Sequence, residues 1–282
     1  MASLLPLAFP LPADAGENGY RLLKLDGYKV KWGDQRLGVG ASVSYAFARE
    51  PLQFHDAINC GEMASIELLS SNSLSLETLA HETAAAFRVW EHAAGLSFHE
   101  VTDARDANIV IGAQGQPRGR AFANVTYAPD PDDGVRAIEQ ALVCMNPDHD
   151  WKVGFDGDMN VYDIRYTLIH EIGHAIGLDH PGPSGQVMGF RYTEAFADLQ
   201  PGDLRGAQVL YGPATHADRL ANDFGSAGDV NNDVGDFLAI GRKDVALPFA
   251  IEEAEREDDE ARTKACVGAN GGTGRCRDDS GG

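Results

Sequence analysis

Residues 170–180 carry the strongest chemical signal in this chain. They read His-Glu-Ile-Gly-His-Ala-Ile-Gly-Leu-Asp-His. On a helix, His170 and His174 project from the same face, about 5–6 Å apart at Cβ, which is close enough for both to bind one metal ion. Glu171 lies beside them and is placed to act as a general base on a water molecule. The run therefore predicts a hydrolytic zinc site.

A glycine at position 177 decides whether a third histidine can join the pair. If the helix simply continued, His180 would point away from His170 and His174. Glycine adopts positive φ at little cost, so Gly177 is predicted to end the helix and turn His180 back toward the metal. Three neutral imidazoles leave the fourth zinc position open, as in catalytic sites. A bare His-Glu-x-x-His occurs by chance on surface helices, but the added glycine and third histidine make coincidence improbable.

This extended motif resembles that of the metzincin zinc endopeptidases, which matches His170, Glu171, His174, Gly177 and His180 one for one. The resemblance implies one catalytic zinc ion held by the three histidines. It also implies that Glu171 is the general base of peptide hydrolysis and that the substrates are proteins or peptides.

A methionine follows the third histidine where metzincins carry a tight turn beneath the metal. The segment 186–189 reads Gln-Val-Met-Gly, and Met188 is the candidate. Taken alone, a methionine in an apolar patch is more often core filler. Its distance from His180 favours the turn.

The flanking sequence resembles two metzincin branches, the serralysins and the matrixins. Residues 166–169 and 181–182 look serralysin-like, whereas residues 199–212 resemble the final helix of a matrixin catalytic domain. The resemblance covers about residues 28–213. Serralysins continue into calcium-binding nonapeptide repeats, and residues 213–282 contain no such array.

Two positions depart from these relatives. Many metzincins place a tyrosine two residues after the turn methionine, where it contacts the metal or the transition state, but this chain has Phe190 there. Tyr192 lies four residues after the methionine and is given no role. Matrixins hold a second, structural zinc partly through histidines before the fifth strand, but residues 100–148 contain none. We therefore expect no structural zinc of that kind.

Hydrophobic patterning predicts an α+β domain of metzincin type. The resemblance implies a twisted, mostly parallel five-stranded sheet, two long helices above the cleft, and an irregular C-terminal subdomain with one helix. Alternation and β-branched or aromatic residues predict strands at 39–48, 96–101, 108–112, 120–127 and 138–145. Helical spacing and capping residues predict helices at 75–94, 161–178 and 201–211.

Composition suggests three segments: a leader or pro-segment at 1–27, the catalytic domain at 28–213, and an acidic, Gly-rich extension at 214–282 that is expected to be partly disordered. The formal net charge of −20 disfavours nucleic acid as a partner. No apolar run approaches the ~20 residues that span a bilayer, so membrane insertion is not expected. We expect a secreted monomer, although residues 1–12 make a poor signal peptide because they lack Lys and Arg.

Four cysteines allow three disulfide connectivities if all are paired. Chain proximity favours Cys60 with Cys144 and Cys266 with Cys276, and free buried thiols remain the alternative. Calcium is considered at two acidic segments, 130–133 and 229–236, against plain acidic turns.

Two other functions use the same residues. One is a secreted zinc-binding protein that no longer cleaves, which the missing tyrosine allows and the intact Glu171 argues against. The other is a zinc hydrolase acting on a non-peptide bond, which the methionine turn and the closing helix disfavour.

Removal of residues 214–282 should leave zinc binding and short-peptide cleavage intact. Gly212 and Pro213 punctuate the chain after the last helix, and the residues beyond lack sustained amphipathic periodicity. Zinc content and peptide turnover of a chain truncated after Pro213 test this. Loss of a folded, zinc-loaded domain would place the boundary elsewhere.

Overall fold

The computed structural model describes residues 19–70, 74–115, 119–129 and 134–214. The helices in this part are α1 (Leu76–Ala93), α2 (Ile164–Ala175) and α3 (Pro201–Tyr211), with 3₁₀ turns at Ile66–Leu69 and Ala104–Asp106. None of these helices is long and apolar enough to cross a bilayer. The strands are β1 (Arg21–Leu22), β2 (Lys24–Leu25), β3 (Tyr28–Lys31), β4 (Ala41–Phe47), β5 (Leu52–Gln53), β6 (Glu62–Met63), β7 (Leu96–Glu100), β8 (Ile109–Ala113), β9 (Ala121–Tyr127), β10 (Arg136–Met145), β11 (Trp151–Lys152), β12 (Tyr162–Asp163) and β13 (Leu178–Asp179).

Five of these strands form the central sheet. Strands β7, β4, β8 and β10 lie in this order and run parallel, and β9 pairs antiparallel with β10 on the side away from β8. The expected mostly parallel five-stranded sheet is confirmed. Two short strands extend it to seven, because β3 pairs with the start of β10 and β2 pairs with β3.

Helix α2, which carries the first two motif histidines, is shorter than its expected bounds of 161–178. It begins after Asp163, whose carboxylate accepts a hydrogen bond from Tyr166 N at 2.6 Å and so caps the first turn. It ends at Ala175, two residues before Gly177. The other two helices begin and end within one residue of the expected bounds.

Helix α2 is buried on all sides, so it is not amphipathic. Every residue from Ile164 to Ala175 except Arg165 is buried. Helix α1 covers one flank, and the indole nitrogen of Trp90 donates to Ile169 O at 3.0 Å across that contact. Strand β9 lies along another flank. Tertiary packing therefore fixes the position of α2, and with it the position of the motif residues.

The stretch from residue 19 to residue 27 belongs to the folded domain, although the sequence placed it in the leader. Strand β1 pairs antiparallel with β13, and β13 directly precedes His180, the third motif histidine. Leu23 and Leu25 are buried in the main core, each 4 % exposed. The expected boundary at residue 28 is therefore wrong. The two leucines point inward from an edge segment that is too short to show a hydrophobic periodicity in the sequence.

Cys60 and Cys144 form a disulfide, as expected. The bond joins the turn between β5 and β6 to the central strand β10, and both cysteines are fully buried. Cys266, Cys276 and the two acidic segments at 130–133 and 229–236 lie outside the described residues.

The double variant Cys60→Ser/Cys144→Ser should lower the free energy of unfolding by about 2–4 kcal/mol, because the cross-link closes a long loop in the unfolded chain. The two cysteines are 84 positions apart. Urea titrations of the wild type and the variant measure the difference, and wild type with reductant should approach the variant. Equal midpoints for all three samples would mean that the bond does not contribute.

Candidate metal centre

Three imidazoles converge at the end of α2. His170 and His174 lie on consecutive turns of the helix, and His180 follows β13. Their Nε2 atoms are 3.2 Å apart within the helix pair and 3.0 Å apart between each of these and His180. In the described part of the chain, this is the one group of three or more side chains able to hold a metal ion. The structure brings all three predicted ligands together.

The ring orientation is set by backbone carbonyls behind the site. Nδ1 of His170 lies 2.7 Å from Val187 O, and Nδ1 of His174 lies 2.9 Å from Leu178 O. A carbonyl only accepts hydrogen bonds, so each Nδ1 carries the proton and each Nε2 presents a lone pair. Such a partner behind the ligand fixes the tautomer and orientation of a metal-binding histidine.

The nitrogen geometry fits zinc. Zinc at about 2.0–2.1 Å from each nitrogen of a tetrahedral site separates the nitrogens by roughly 3.3 Å. The observed spacings of 3.0–3.2 Å are close to this value. Three lone pairs facing one another repel, and a cation between them removes that repulsion. The donor set, three neutral imidazoles, is one that zinc prefers.

Burial keeps these rings uncharged. Burial and the neighbouring His174 and His180 hold the pKa of His170 well below its usual value of 6.5. Burial and the neighbouring His174 lower the pKa of His180 to about 2. Both rings are therefore neutral at physiological pH, which is the protonation state that binds a metal.

The turn at Gly177 has the predicted conformation. Its φ is 99°, and its N–H donates to His174 O at 3.0 Å, so the chain leaves the helix there. A β-carbon at this position would also overlap Val30 O of the neighbouring strand. Both observations require glycine, and the reversal carries His180 to the other two ligands.

Asp179 holds the third ligand from behind. Its carboxylate accepts a hydrogen bond from His180 N at 2.8 Å and pairs with Arg21 of β1 at 2.9 Å. The N-terminal segment therefore supports the loop that carries His180. No local pattern predicts this contact, because Arg21 and Asp179 lie far apart along the chain.

Two aromatic side chains donate hydrogen bonds to the C-terminal end of α2. The indole nitrogen of Trp32 donates to Ala175 O at 2.8 Å, and the hydroxyl of Tyr211 donates to Ile176 O at 2.7 Å. The same hydroxyl accepts a hydrogen bond from Trp32 N at 3.0 Å. These bonds satisfy carbonyls that a helix end leaves without partners.

Met188 lies beneath the site in a tight turn. Gly189 N donates to Gln186 O at 3.0 Å, which closes the turn. The sulfur of Met188 packs so closely on Gly173 of α2 that a β-carbon there would overlap it. The predicted methionine turn is confirmed, and it explains the glycine inside the motif.

Asp203 of α3 fixes that turn, a role that no motif in the sequence predicted. Its carboxylate accepts hydrogen bonds from Val187 N at 2.8 Å and from Met188 N at 3.1 Å. Burial raises the pKa of Asp203, and the backbone donors oppose that rise. Its place in the matrixin-like stretch 199–204 was the one available signal.

The position of the missing tyrosine holds an aromatic ring without a hydroxyl. The ring of Phe190 lies 6.0 Å from that of His180, centroid to centroid. Tyr192 does not replace it, because its hydroxyl accepts from Asp163 N at 2.9 Å and donates to Glu194 at 2.8 Å. Glu171 is buried, 4 % exposed, on α2 next to the first ligand.

Comparison with known proteins shows the family of the chain. The family model described as Matrixin matches residues 65–212, more than half of the chain. The chain belongs to the matrixin family. Matrixins are zinc-dependent metalloendopeptidases, which agrees with the three converging histidines.

Individual matrixin relatives are distant. The chain is 28% identical over 163 residues to a probable matrix metalloproteinase 095L of Invertebrate iridescent virus 3, covering 54% of this chain and 42% of that protein. It is 30% identical over 148 residues to human stromelysin-3, covering 48% and 28%. It is 26% identical over 149 residues to metalloendoproteinase 5-MMP of Arabidopsis thaliana, covering 47% and 39%. The chain thus spans less than half the length of each of these relatives.

Replacing the third ligand should weaken zinc binding. His180→Ala removes one of three nitrogens, so we expect zinc affinity to fall by at least roughly 10²-fold. Competition with a fluorescent zinc indicator measures the affinity. His99→Ala, which changes an exposed histidine on β7, serves as the control. Equal affinities for the two variants would remove His180 from the ligand set.

Proposed function

We propose that this matrixin is an active zinc endopeptidase that hydrolyses peptide bonds of protein substrates. The observation that carries the proposal is the convergence of three Nε2 atoms at 3.0–3.2 Å. The helix that presents two of them also carries the buried Glu171. His170, His174 and His180 would hold the metal. When bound, zinc acts as a Lewis acid that activates water and polarises the scissile carbonyl.

Glu171 is the general base in this mechanism. Its carboxylate takes a proton from the attacking water and later delivers it to the leaving amine. Peptide hydrolysis then proceeds without an acyl-enzyme, because no side-chain nucleophile is involved. Its place on α2, one residue after His170, keeps the carboxylate on the same rigid helix as two of the ligands.

The substrate backbone is proposed to pair with β9. This strand pairs with β10 on one side, and its other edge has no strand partner among the described residues. An extended peptide can add to such an edge through main-chain hydrogen bonds. Because β9 packs against α2, a peptide on this edge lies beside the motif helix.

The chain carries no tyrosine hydroxyl at the position after the methionine turn, so the oxyanion of the tetrahedral intermediate receives no help from that side chain. We propose that the metal is the main electrophile. The protein is proposed to act outside the cell as a monomer, which accords with its formed disulfide.

Assays distinguish two alternative functions from the proposed endopeptidase. A zinc-loaded protein that cleaves neither casein nor gelatin would be a zinc-binding protein that no longer cleaves. A zinc-loaded protein that cleaves a non-peptide ester or amide but no peptide would be a different hydrolase. Inhibition of casein cleavage by 1,10-phenanthroline would support the proposal.

Glu171→Gln should keep zinc bound and lower turnover by roughly 10²–10⁴-fold, because the variant lacks the general base. Cleavage of a quenched peptide and zinc content are measured on the same samples. Glu139→Gln, which changes an exposed carboxylate on β10, is the matched control and should behave like wild type. Turnover of the Glu171 variant at the wild-type rate, with contaminating protease excluded, would contradict this mechanism.

A further inference from the structure

Arg120 places a positive charge over two tyrosines near the start of α2 and the methionine turn. It directly precedes the edge strand β9, and its guanidinium carbon lies 5.1 Å from the ring centroid of Tyr162 and 5.6 Å from that of Tyr192. No spacing along the chain predicted a role for this residue.

Arg120 and Tyr166 both carry donors that lack partners. Within the described residues, the Nε of Arg120 and the hydroxyl of Tyr166 are buried and have no hydrogen-bond partner. Tyr166 lies on α2, one turn before His170, and its ring is 5.3 Å from that of Tyr192. The guanidinium of Arg120 lies over the same Tyr192 ring, 5.6 Å from its centroid, so the two groups share this neighbour. A buried polar group without a partner is uncommon and marks a place where a ligand can supply one.

The acidic side chains around this cluster are engaged elsewhere. Glu194 accepts hydrogen bonds from Lys152 Nζ at 2.6 Å and from Gly157 N at 2.7 Å. Asp163 caps α2, and Asp203 holds the methionine turn. None of the ion pairs in the described ranges includes Arg120. The residue is only partly buried, so an incoming group can reach its charge.

We infer that Arg120 and Tyr166 bind the carboxylate of a substrate side chain, so that this enzyme prefers Asp or Glu next to the scissile bond. A carboxylate accepts hydrogen bonds from a guanidinium and from a hydroxyl at once, and charge-assisted bonds of this kind are strong. The inference rests on the proposed endopeptidase activity and names the substrate class for that site.

The overall charge of the protein disfavours acidic substrates. A formal net charge of −20 repels acidic peptides at long range. A preference for acidic residues would therefore need a local positive charge in the cleft. This contrast makes the preference a specific test of Arg120.

The first experiment uses the full-length, zinc-loaded protein and a random peptide library, with the cleaved bonds identified by mass spectrometry. Asp and Glu should be enriched at one position flanking the cleaved bond. Two quenched peptides that differ only by Glu or Gln at that position are then compared. We expect kcat/KM to be roughly 10–100-fold higher for the Glu peptide. A ratio of one or less in the wild type would overturn the inference.

Variants then assign the preference to the cluster. Arg120→Gln should bring the Glu/Gln ratio to about one or below, Arg120→Lys should retain part of it because the charge remains, and Tyr166→Phe should reduce it. Arg49→Gln is the matched control. Arg49 also lies over an aromatic ring, that of Phe47 at 5.3 Å, but it is an exposed residue just after β4. An unchanged ratio in folded, zinc-loaded Arg120→Gln would overturn the assignment. If that variant does not fold, loss of the wild-type preference at high salt supports the assignment and a salt-independent ratio overturns it.

Failure of the proposed function can be told apart from failure of this inference. If the zinc-loaded wild type cleaves no peptide of the library and neither casein nor gelatin, the endopeptidase proposal is wrong. Fluorescence anisotropy with a labelled pair of peptides that differ only by Glu or Gln at one position then decides the inference. Binding of the Glu peptide at least tenfold tighter than the Gln peptide supports it, and equal binding overturns it.

Discussion

The metal centre depends on one reversal of the chain at Gly177. Helix α2 can present two histidines on one face, but the third lies beyond the end of the helix and must come back over it. The reversal needs a positive φ and a close approach to Val30 O, and a residue with a side chain would meet strain in the first and overlap in the second. Without this turn the chain would hold two ligands, which is too few for a catalytic zinc site.

Each part of the site is held by an element from a different region of the chain. The N-terminal strand β1 pairs with the segment that leads to His180, and Arg21 holds Asp179 behind that ligand. Helix α3 sends Asp203 under the methionine turn. The turn in turn provides the carbonyl that orients His170. The site is therefore precise because it lies where several packed elements meet, as an effective catalytic constellation requires.

Polar groups near the three histidines differ in whether they have hydrogen-bond partners. Donors and acceptors behind the ligands are paired with backbone groups, which fixes the geometry before any ligand binds. Among the described residues around Tyr192, by contrast, the Nε of Arg120 and the hydroxyl of Tyr166 remain without partners. The paired groups hold the motif histidines in place. The unpaired groups are those to which we assign a proposed role in substrate preference.

The sequence by itself determined the candidate ligands, most of the elements and much of the architecture. The spacing of His170, Glu171 and His174 depends only on helix geometry, and the demand for glycine at position 177 depends only on backbone sterics, so both could be read locally. The positions of α1, α3 and the main strands followed from hydrophobic period and caps for the same reason, whereas the fully buried α2 is shorter than expected. The pairing of Cys60 with Cys144 was favoured by chain proximity, but the fold decided it.

Only the tertiary structure decided the contacts between distant residues. The inclusion of residues 19–27 in the domain depends on pairing with β13, which no local pattern encodes. The role of Asp203 depends on α3 lying against the methionine turn. The position of Arg120 over two tyrosines from later in the chain depends on how β9 packs along α2. A local sequence pattern records spacing along the chain, whereas these interactions depend on distances through space that the packing of the whole domain sets.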